Sequence, residues 1–308
     1  MTDTIKLRLG TRQSPLAMVQ AREARARLCA AHGWSEDQVE LVPVVASGDK
    51  VLDRPLAEIG GKALWTKELD AWLAEGRIDA AVHSMKDVET IRPESLRIAA
   101  VLPREDVRDV LVGAANIAAI PQGATIGTSA PRRAAQMLHL RPDCRVVSFR
   151  GNVATRLGKL EAGEADVTLL AAAGLSRLGQ SDVGAPLDSA SWLPAPAQGA
   201  IGIECNAADE RACALVAAID DRPSHLAVMA ERSLLLALGG NCHSAVAVLS
   251  SWQGAQLHLR AVLFSPDGSE RVEGEARFDP LDASGPAALA ADLLARSSPA
   301  ITQHFAGA

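Results

Sequence analysis

Tyrosine is absent from this 308-residue chain, and aromatic residues amount to only 3%. So few flat side chains exclude the stacking platforms of a single-stranded nucleic-acid groove, and a formal net charge of −6 removes the basic field such a groove needs. Cysteine is scarce and scattered. Cys29, Cys144, Cys205, Cys213 and Cys242 form no CxxC pair, and their odd number predicts free thiols in a reducing compartment, not a disulfide framework. No apolar run approaches the roughly 20 residues of a membrane span. The opening MTDTIKLRLG lacks the basic, apolar and small-residue pattern of a secretion signal, so a cytoplasmic protein is expected, with no nucleic-acid or membrane partner. The absence of a GxxxxGK(S/T) loop excludes P-loop phosphoryl transfer.

What is present is an Ala/Leu/Val-rich chain, 48% hydrophobic and 22% charged, long enough for two or three domains with aliphatic cores. Arginine is concentrated in one stretch, Gly127 to Arg156, which carries Arg132, Arg133, Arg141, Arg145, Arg150 and Arg156. A cationic cluster inside an acidic protein points to a ligand and not to general stickiness. ATIGTS reads as a short strand, followed by a helix beginning near Ala130 or Pro131 with Thr128 or Ser129 as N-cap. Arg132 and Arg133 then sit in the first turn, beside unpaired backbone N–H groups and the positive end of the helix dipole. CRVVSF is a second strand, running into the Gly/Asn turn of RGNVATR with Arg150 before it and Arg156 after it. Two such turns suit a ligand bearing several carboxylates or phosphates, because guanidinium forks bind these groups in bidentate fashion. Arg141 and Arg145, near a helix end and Pro142, read as ordinary surface arginines carried in solvent.

The same design appears earlier. IKLRLGT is a strand, Ser14 and Pro15 start a helix reaching about His32, and Arg12 and Ser14 occupy the turn between them. VELVPVVA is a strand leading into a long polar segment with Gly60, Gly61 and Lys62, a length often used for a lid; Lys62 reads equally as a closing cation or as a solvated lysine. A helix around Trp65 to Glu75 precedes the strand IDAAVHS, which ends at His83, Ser84, Met85, Lys86 and Asp87. Strand carboxyl ends face the ligand crevice in α/β sheets, so Asp87 is the leading acid/base or cation-stabilising carboxylate, while His83 reads as a satisfied core histidine. After PREDVRD the α/β pattern restarts, through DVTLLAAAGLSRLG with Arg177, until PAPAQGAIGIE re-enters a strand. Beyond His225 an amphipathic helix stopped by Gly239 and Gly240, three strands and a long Ala/Leu helix to about Gln303 make a small α+β domain. Cys242 follows the helix stop, and His243 finds no further ligands at zinc spacing.

These residues together resemble the porphobilinogen deaminase family, also called hydroxymethylbilane synthase. The matching segments are TRQSPLA, GDKVLDRPLAEIGGKALWTKELD, AVHSMKD, REDVRD, GTSAPRR, SFRGNVATRL, AAAGLSRLG, QGAIGIEC, and AER followed by GGNC, in the family's order along nearly the whole chain. The resemblance implies an α/β fold of two hinged periplasmic-binding-protein-like lobes, residues 1–103 with 200–221 and residues 104–199, plus a small α+β C-terminal domain, 222–308. It implies a transferase that condenses four porphobilinogen units head to tail on a dipyrromethane cofactor joined by thioether to Cys242, releasing hydroxymethylbilane and ammonia. By similarity Asp87 contacts pyrrole N–H groups. Lys86, Ser129, Arg132, Arg133, Arg150 and Arg156 hold cofactor and chain carboxylates, with Thr128 a further contact. Arg12, Ser14 and Arg177 meet incoming substrate together with Arg150 and Arg156, and Lys62 ends the lid. No metal is implied, and a monomer is expected.

The chain departs from the family pattern in four places. GGNCHSAV stands for EGGC followed by proline, MKDVET lacks a proline after MKDV, Ala130 replaces a frequent hydroxyl residue, and Trp65 stands where phenylalanine is common. None removes a charge the chemistry needs. The competing class is a non-enzymatic two-lobe polyanion-binding protein, which would need the arginines but neither Asp87 nor Cys242.

Overall fold

The computed structural model of the protein describes residues 5–45, 66–241 and 243–305. They fall into two compact units, one gathering the described residues up to 105 with 199–225, the other 106–198 with 226–305. The chain opens with strand β1 (Leu7–Arg12), helix α1 (Pro15–His32), β2 (Val39–Val44), α2 (Lys67–Ala74), β3 (Ala80–Ser84) and β4 (Leu96–Val101). It continues with β5 (Asp109–Val112), β6 (Thr125–Gly127), α3 (Pro131–Leu140), β7 (Arg145–Val147), α4 (Val153–Glu161), β8 (Val167–Ala171), α5 (Ala172–Arg177) and β9 (Ala185–Pro186). Then follow β10 (Ile201–Asn206), α6 (Glu210–Ala217), α7 (Arg222–Ala237), β11 (Val246–Gln253), β12 (Gln256–Phe264), β13 (Arg271–Phe278), α8 (Ser284–Arg296) and α9 (Pro299–Thr302).

Local chemistry explains several of these boundaries. The Ser14 hydroxyl accepts the Ala17 N–H at 3.3 Å and Pro15 fills the first turn, so α1 starts where the sequence predicts. The helix buries Ala17, Ala21, Ala24 and Leu28 on one face, and its small residues let it close onto Leu7 and Leu9 of the sheet. Asn152 caps α4 by accepting the Thr155 N–H at 2.9 Å. The start of α3 differs from expectation. Its N-cap position is Ala130 and no side chain caps it; the Thr128 hydroxyl instead accepts the Ala130 N–H at 3.2 Å, a local turn that competes with capping. The long C-terminal helix is two helices, because Pro299 cannot continue α8 and Ser298 caps a fresh turn by accepting the Ala300 N–H.

The first unit holds a five-stranded sheet in the order β2–β1–β3–β10–β4, with β1, β2 and β3 parallel and β10 antiparallel to β3 and β4. The second repeats that plan as β7–β6–β8–β5–β9, with β6, β7 and β8 parallel and β5 antiparallel to β8 and β9. In each, an α/β run makes three parallel strands and a strand from elsewhere in the chain inserts against them. Each sheet therefore lines up three strand carboxyl ends at one edge, where α/β sheets place their ligands.

The second unit also carries the antiparallel sheet β11–β12–β13, which buries Leu257, Leu259 and Leu263 against Leu234 of α7, Leu238 just past its end, and Leu289 and Leu293 of α8. Helix α3 packs on this sheet. Ala135 meets Ala245, Ala247 and Phe264, and His139 Nδ1 lies 2.9 Å from the Gly268 carbonyl. Helix α7 closes through the Gly239 and Gly240 N–H groups, which donate to Leu236 and Leu235, and Asn241 accepts the His243 N–H at 2.8 Å. Cys242 lies outside the described residues, as do Lys62 and Trp65.

Candidate active site

At the carboxyl edge of the first sheet, β1 delivers Arg12 and Ser14, and β3 runs into a single 3-10 turn, Met85–Asp87. The turn is seated firmly. Met85 is buried, its N–H donates to the Ala200 carbonyl at 3.0 Å, and its Sδ lies 2.0 Å from where a Cβ on Gly202 would stand. Only glycine at that point of β10 lets the turn approach so closely. Asp87 and Arg12 line one pocket with Ser14, Gln20, His83 and Ser84. The Arg12 guanidinium is 3.8 Å from the Asp87 carboxylate, whose side chain keeps 36% of its exposure. Ser84 and Gln20 exchange hydrogen bonds at 2.8 and 3.0 Å, which stiffens the pocket floor.

A buried charge network lies in the same unit. Glu204 of β10 is 1% exposed and accepts from Arg92 Nε at 2.9 Å and Nη2 at 2.7 Å, while His83 Nε2 stands 3.4 Å away. Arg92 also pairs with Asp70 at 2.6 Å and Glu89 at 2.8 Å. Burial alone would push the Glu204 carboxyl up, but His83 and Arg92 outweigh it and hold it at about 2. Because the folded-state value lies below the ordinary 4.5, this pairing contributes fully above about pH 4.5 and is lost as pH falls through about 2. Thermal midpoints measured from pH 6 to pH 2 should therefore fall more steeply for the native protein than for Glu204→Gln, whose curve is flatter although it starts lower. Equal slopes would remove Glu204 from the acid response.

At the carboxyl edge of the second sheet the arginine turns become neighbours. β6 and β7 pair with Gly127 opposite Val147, and the Ser129 hydroxyl donates to the Phe149 carbonyl at 2.8 Å, 2.9 Å from the Ser148 hydroxyl. A Cβ on Gly127 would lie 2.5 Å from the Phe149 ring, so glycine is what lets the two turns close. Arg150 follows β7 and is buried, Arg156 donates through Nε to the Gly151 carbonyl at 3.0 Å, and Arg177 ends α5 after β8. Arg132 and Arg133 are not surface side chains: they are 5% and 4% exposed. Both pair with Asp109, at 2.7 and 2.8 Å, and they also reach the Leu193 and Leu169 carbonyls. Burial alone would raise the Asp109 carboxyl, but the two guanidiniums hold it well below the usual carboxylate range. Two cations share one anion, and neither Nε finds a hydrogen-bond partner among the described residues. The cluster thus carries uncompensated positive charge and spare donors, a donor set that fits a carboxylate-bearing group.

Each unit thus presents its own set at a strand edge: Arg12, Ser14, Lys86 and Asp87 in the first, Thr128, Ser129, Arg132, Arg133, Arg150, Arg156 and Arg177 in the second. Arg141 and Arg145 take structural work, Arg141 tying the Ile117, Ile120 and Pro121 carbonyls to Asp143 and Arg145 binding the Thr125 hydroxyl. Sequence reasoning missed Asp109 and the Arg92–Glu204 pair, although both acids stand inside quoted segments, REDVRD and QGAIGIEC. An acid opening a strand and an acid within an apolar one were the available signals.

The family model described as "Porphobilinogen deaminase, dipyromethane cofactor binding domain" matches residues 7–214, and "Porphobilinogen deaminase, C-terminal domain" matches residues 225–295. Similar curated proteins include the porphobilinogen deaminase of Sphingopyxis alaskensis, 56% identical over 306 residues (97% of this chain and 96% of that protein). Another is the porphobilinogen deaminase of Paracoccus denitrificans, 51% identical over 290 residues (93% and 92%). Among solved structures, the VFT2 domain of Bordetella pertussis BvgS matches with a TM-score of 0.40 at 15% identity, covering 74% of this chain and 91% of that one. No helix among the described residues is long and apolar enough to cross a membrane.

Proposed function

This chain belongs to the porphobilinogen deaminase family, and from that premise we propose a division of labour among its residues. Asp87 is the catalytic carboxylate, and Cys242, in the C-terminal domain 222–308, carries the dipyrromethane by thioether. Arg132, Arg133, Arg150 and Arg156, with Lys86, Thr128 and Ser129, hold the acetate and propionate carboxylates of the bound pyrroles. Arg12, Ser14 and Arg177 receive porphobilinogen, with Lys62 closing over it. The dipyrromethane, when bound, supplies the pyrrole α-carbon onto which each new unit is joined.

The observation that carries the reading is the Arg12–Asp87 pair at a strand edge in one pocket with Ser14. The guanidinium is placed to draw in a substrate carboxylate, and the one-third-exposed Asp87 to face the substrate nitrogen. As ammonia leaves the aminomethyl group, positive charge spreads onto that nitrogen, and a fixed carboxylate beside it lowers the barrier. The same oxygen accepts and returns a proton as the new carbon–carbon bond forms. The arginines do no proton chemistry; they neutralise a polyanion whose charge grows with every unit added. In this reading the enzyme is a cytoplasmic hydroxymethylbilane synthase acting as a monomer, in a compartment that suits its free thiols Cys29, Cys144, Cys205 and Cys213.

The test is stoichiometry. The purified protein given porphobilinogen should release four ammonia molecules for each linear tetrapyrrole formed. Saturable binding of porphobilinogen with no ammonia released would instead support a polyanion-binding protein.

A further inference from the structure

Asp109 begins β5, is fully buried, and both its oxygens are saturated. Oδ1 accepts from Arg133 Nη2 at 2.8 Å and Gln198 Nε2 at 2.9 Å; Oδ2 accepts from Arg132 Nη1 at 2.7 Å and Trp192 Nε1 at 2.7 Å. We propose that Asp109 is a positioning residue for the reaction, one whose shared carboxylate sets how Arg132 and Arg133 present their remaining N–H groups to the carboxylates of the bound pyrroles. The inference rests on the reading that those two arginines hold these carboxylates.

The reasoning is geometric. A guanidinium is planar, so fixing two of its N–H directions fixes the plane and the directions of the rest. Arg133 is fixed by Asp109 and the Leu169 carbonyl, and Arg132 by Asp109 and the Leu193 carbonyl. Asp109 in turn is held by strand pairing opposite Ala171 and by Trp192 and Gln198, each 1% exposed. Without the carboxylate, two adjacent like charges would swing apart. A cluster built only for stability would not bury two cations on one anion and leave both Nε atoms without partners, since each uncompensated buried charge destabilises.

Asp109→Asn tests this, because its amide NH2 must face groups that only donate. In protein purified from cells making porphobilinogen, the fraction of chains bearing the two-pyrrole mass should drop sharply, and kcat/KM of the loaded fraction should fall on the order of 10²-fold, the scale of a misplacement of about 1 Å. Asp109→Glu should recover part of both. Trp192→Phe keeps the ring and removes one neutral donor, so it covers the case in which Asp109→Asn does not fold. It should raise KM a few-fold with kcat within about two-fold, the signature of lost binding and not lost chemistry. Wild-type loading and KM in Trp192→Phe, with only a lower thermal midpoint, would make Asp109 merely structural and overturn the proposal. Arg132→Gln and Arg133→Gln separate the two levels. If they too load fully and keep wild-type KM, the underlying reading of the arginines fails. If they lose loading while the Asp109 and Trp192 variants keep it, the positioning inference alone fails.

Discussion

Asp87→Ala is expected to cut kcat by about 10²–10⁴, the range for a lost acid/base or charge-stabilising group, while leaving a folded protein. The fold should survive because the side chain is one-third exposed and its ion-pair partner, Arg12, stands 3.8 Å away, a surface pairing worth at most about 1 kcal/mol. The turn itself is held by Met85 packed over Gly202 and by the Ala200 carbonyl, neither of which the substitution touches. KM should change far less than kcat, since the substrate carboxylates are assigned to arginines and the developing positive charge exists only along the reaction path. Asp87→Asn, which keeps the shape and loses the charge, should behave like the alanine variant, whereas Asp87→Glu should retain part of the activity. Steady-state kinetics beside circular dichroism reads both halves, and near-normal turnover in Asp87→Ala would take the carboxylate out of the mechanism.

Cys242→Ala should abolish turnover and lose the covalent group altogether. Intact mass gives the decisive readout: the native protein should exceed its sequence mass by two linked pyrrole units, and the variant should match its own. In the sequence no lysine or arginine stands within five residues of Cys242 to stabilise a thiolate. Loading is therefore expected to depend on the arginines that hold the incoming pyrroles, and not on an intrinsically reactive thiol. The variant should also melt at a lower temperature, because a ligand bound to the native state alone stabilises it. A native protein of unmodified mass, purified from cells that make porphobilinogen, would sink the assignment of Cys242.

Much of this architecture could be read along the chain because its causes are local. Ser14 and Pro15 start α1, Asn152 starts α4, and the alternation from strand to helix recurs in both units at the same rhythm. Hydroxyl residues, glycines and arginines cluster at the strand ends, so the turns that bear Arg12, Asp87, Arg132 and Arg150 were visible as turns, with their charges. Where two local devices compete, the sequence was ambiguous: Thr128 can cap a helix or close its own turn, and the structure shows the second.

Tertiary structure alone decided which of those charges lie inside. Arg132 and Arg133 look from the sequence like side chains of an exposed first turn, yet they are buried on Asp109, more than twenty residues earlier, with Trp192 and Gln198 joining from 83 and 89 residues further along the chain than Asp109. Arg92 and Glu204 are separated by 112 positions and meet because β10 returns to the first sheet. Capping, turns and periodicity act over a few residues and so leave their mark in sequence spacing. Burial and the pairing of distant charges depend on which strands insert where, and no spacing along the chain records that.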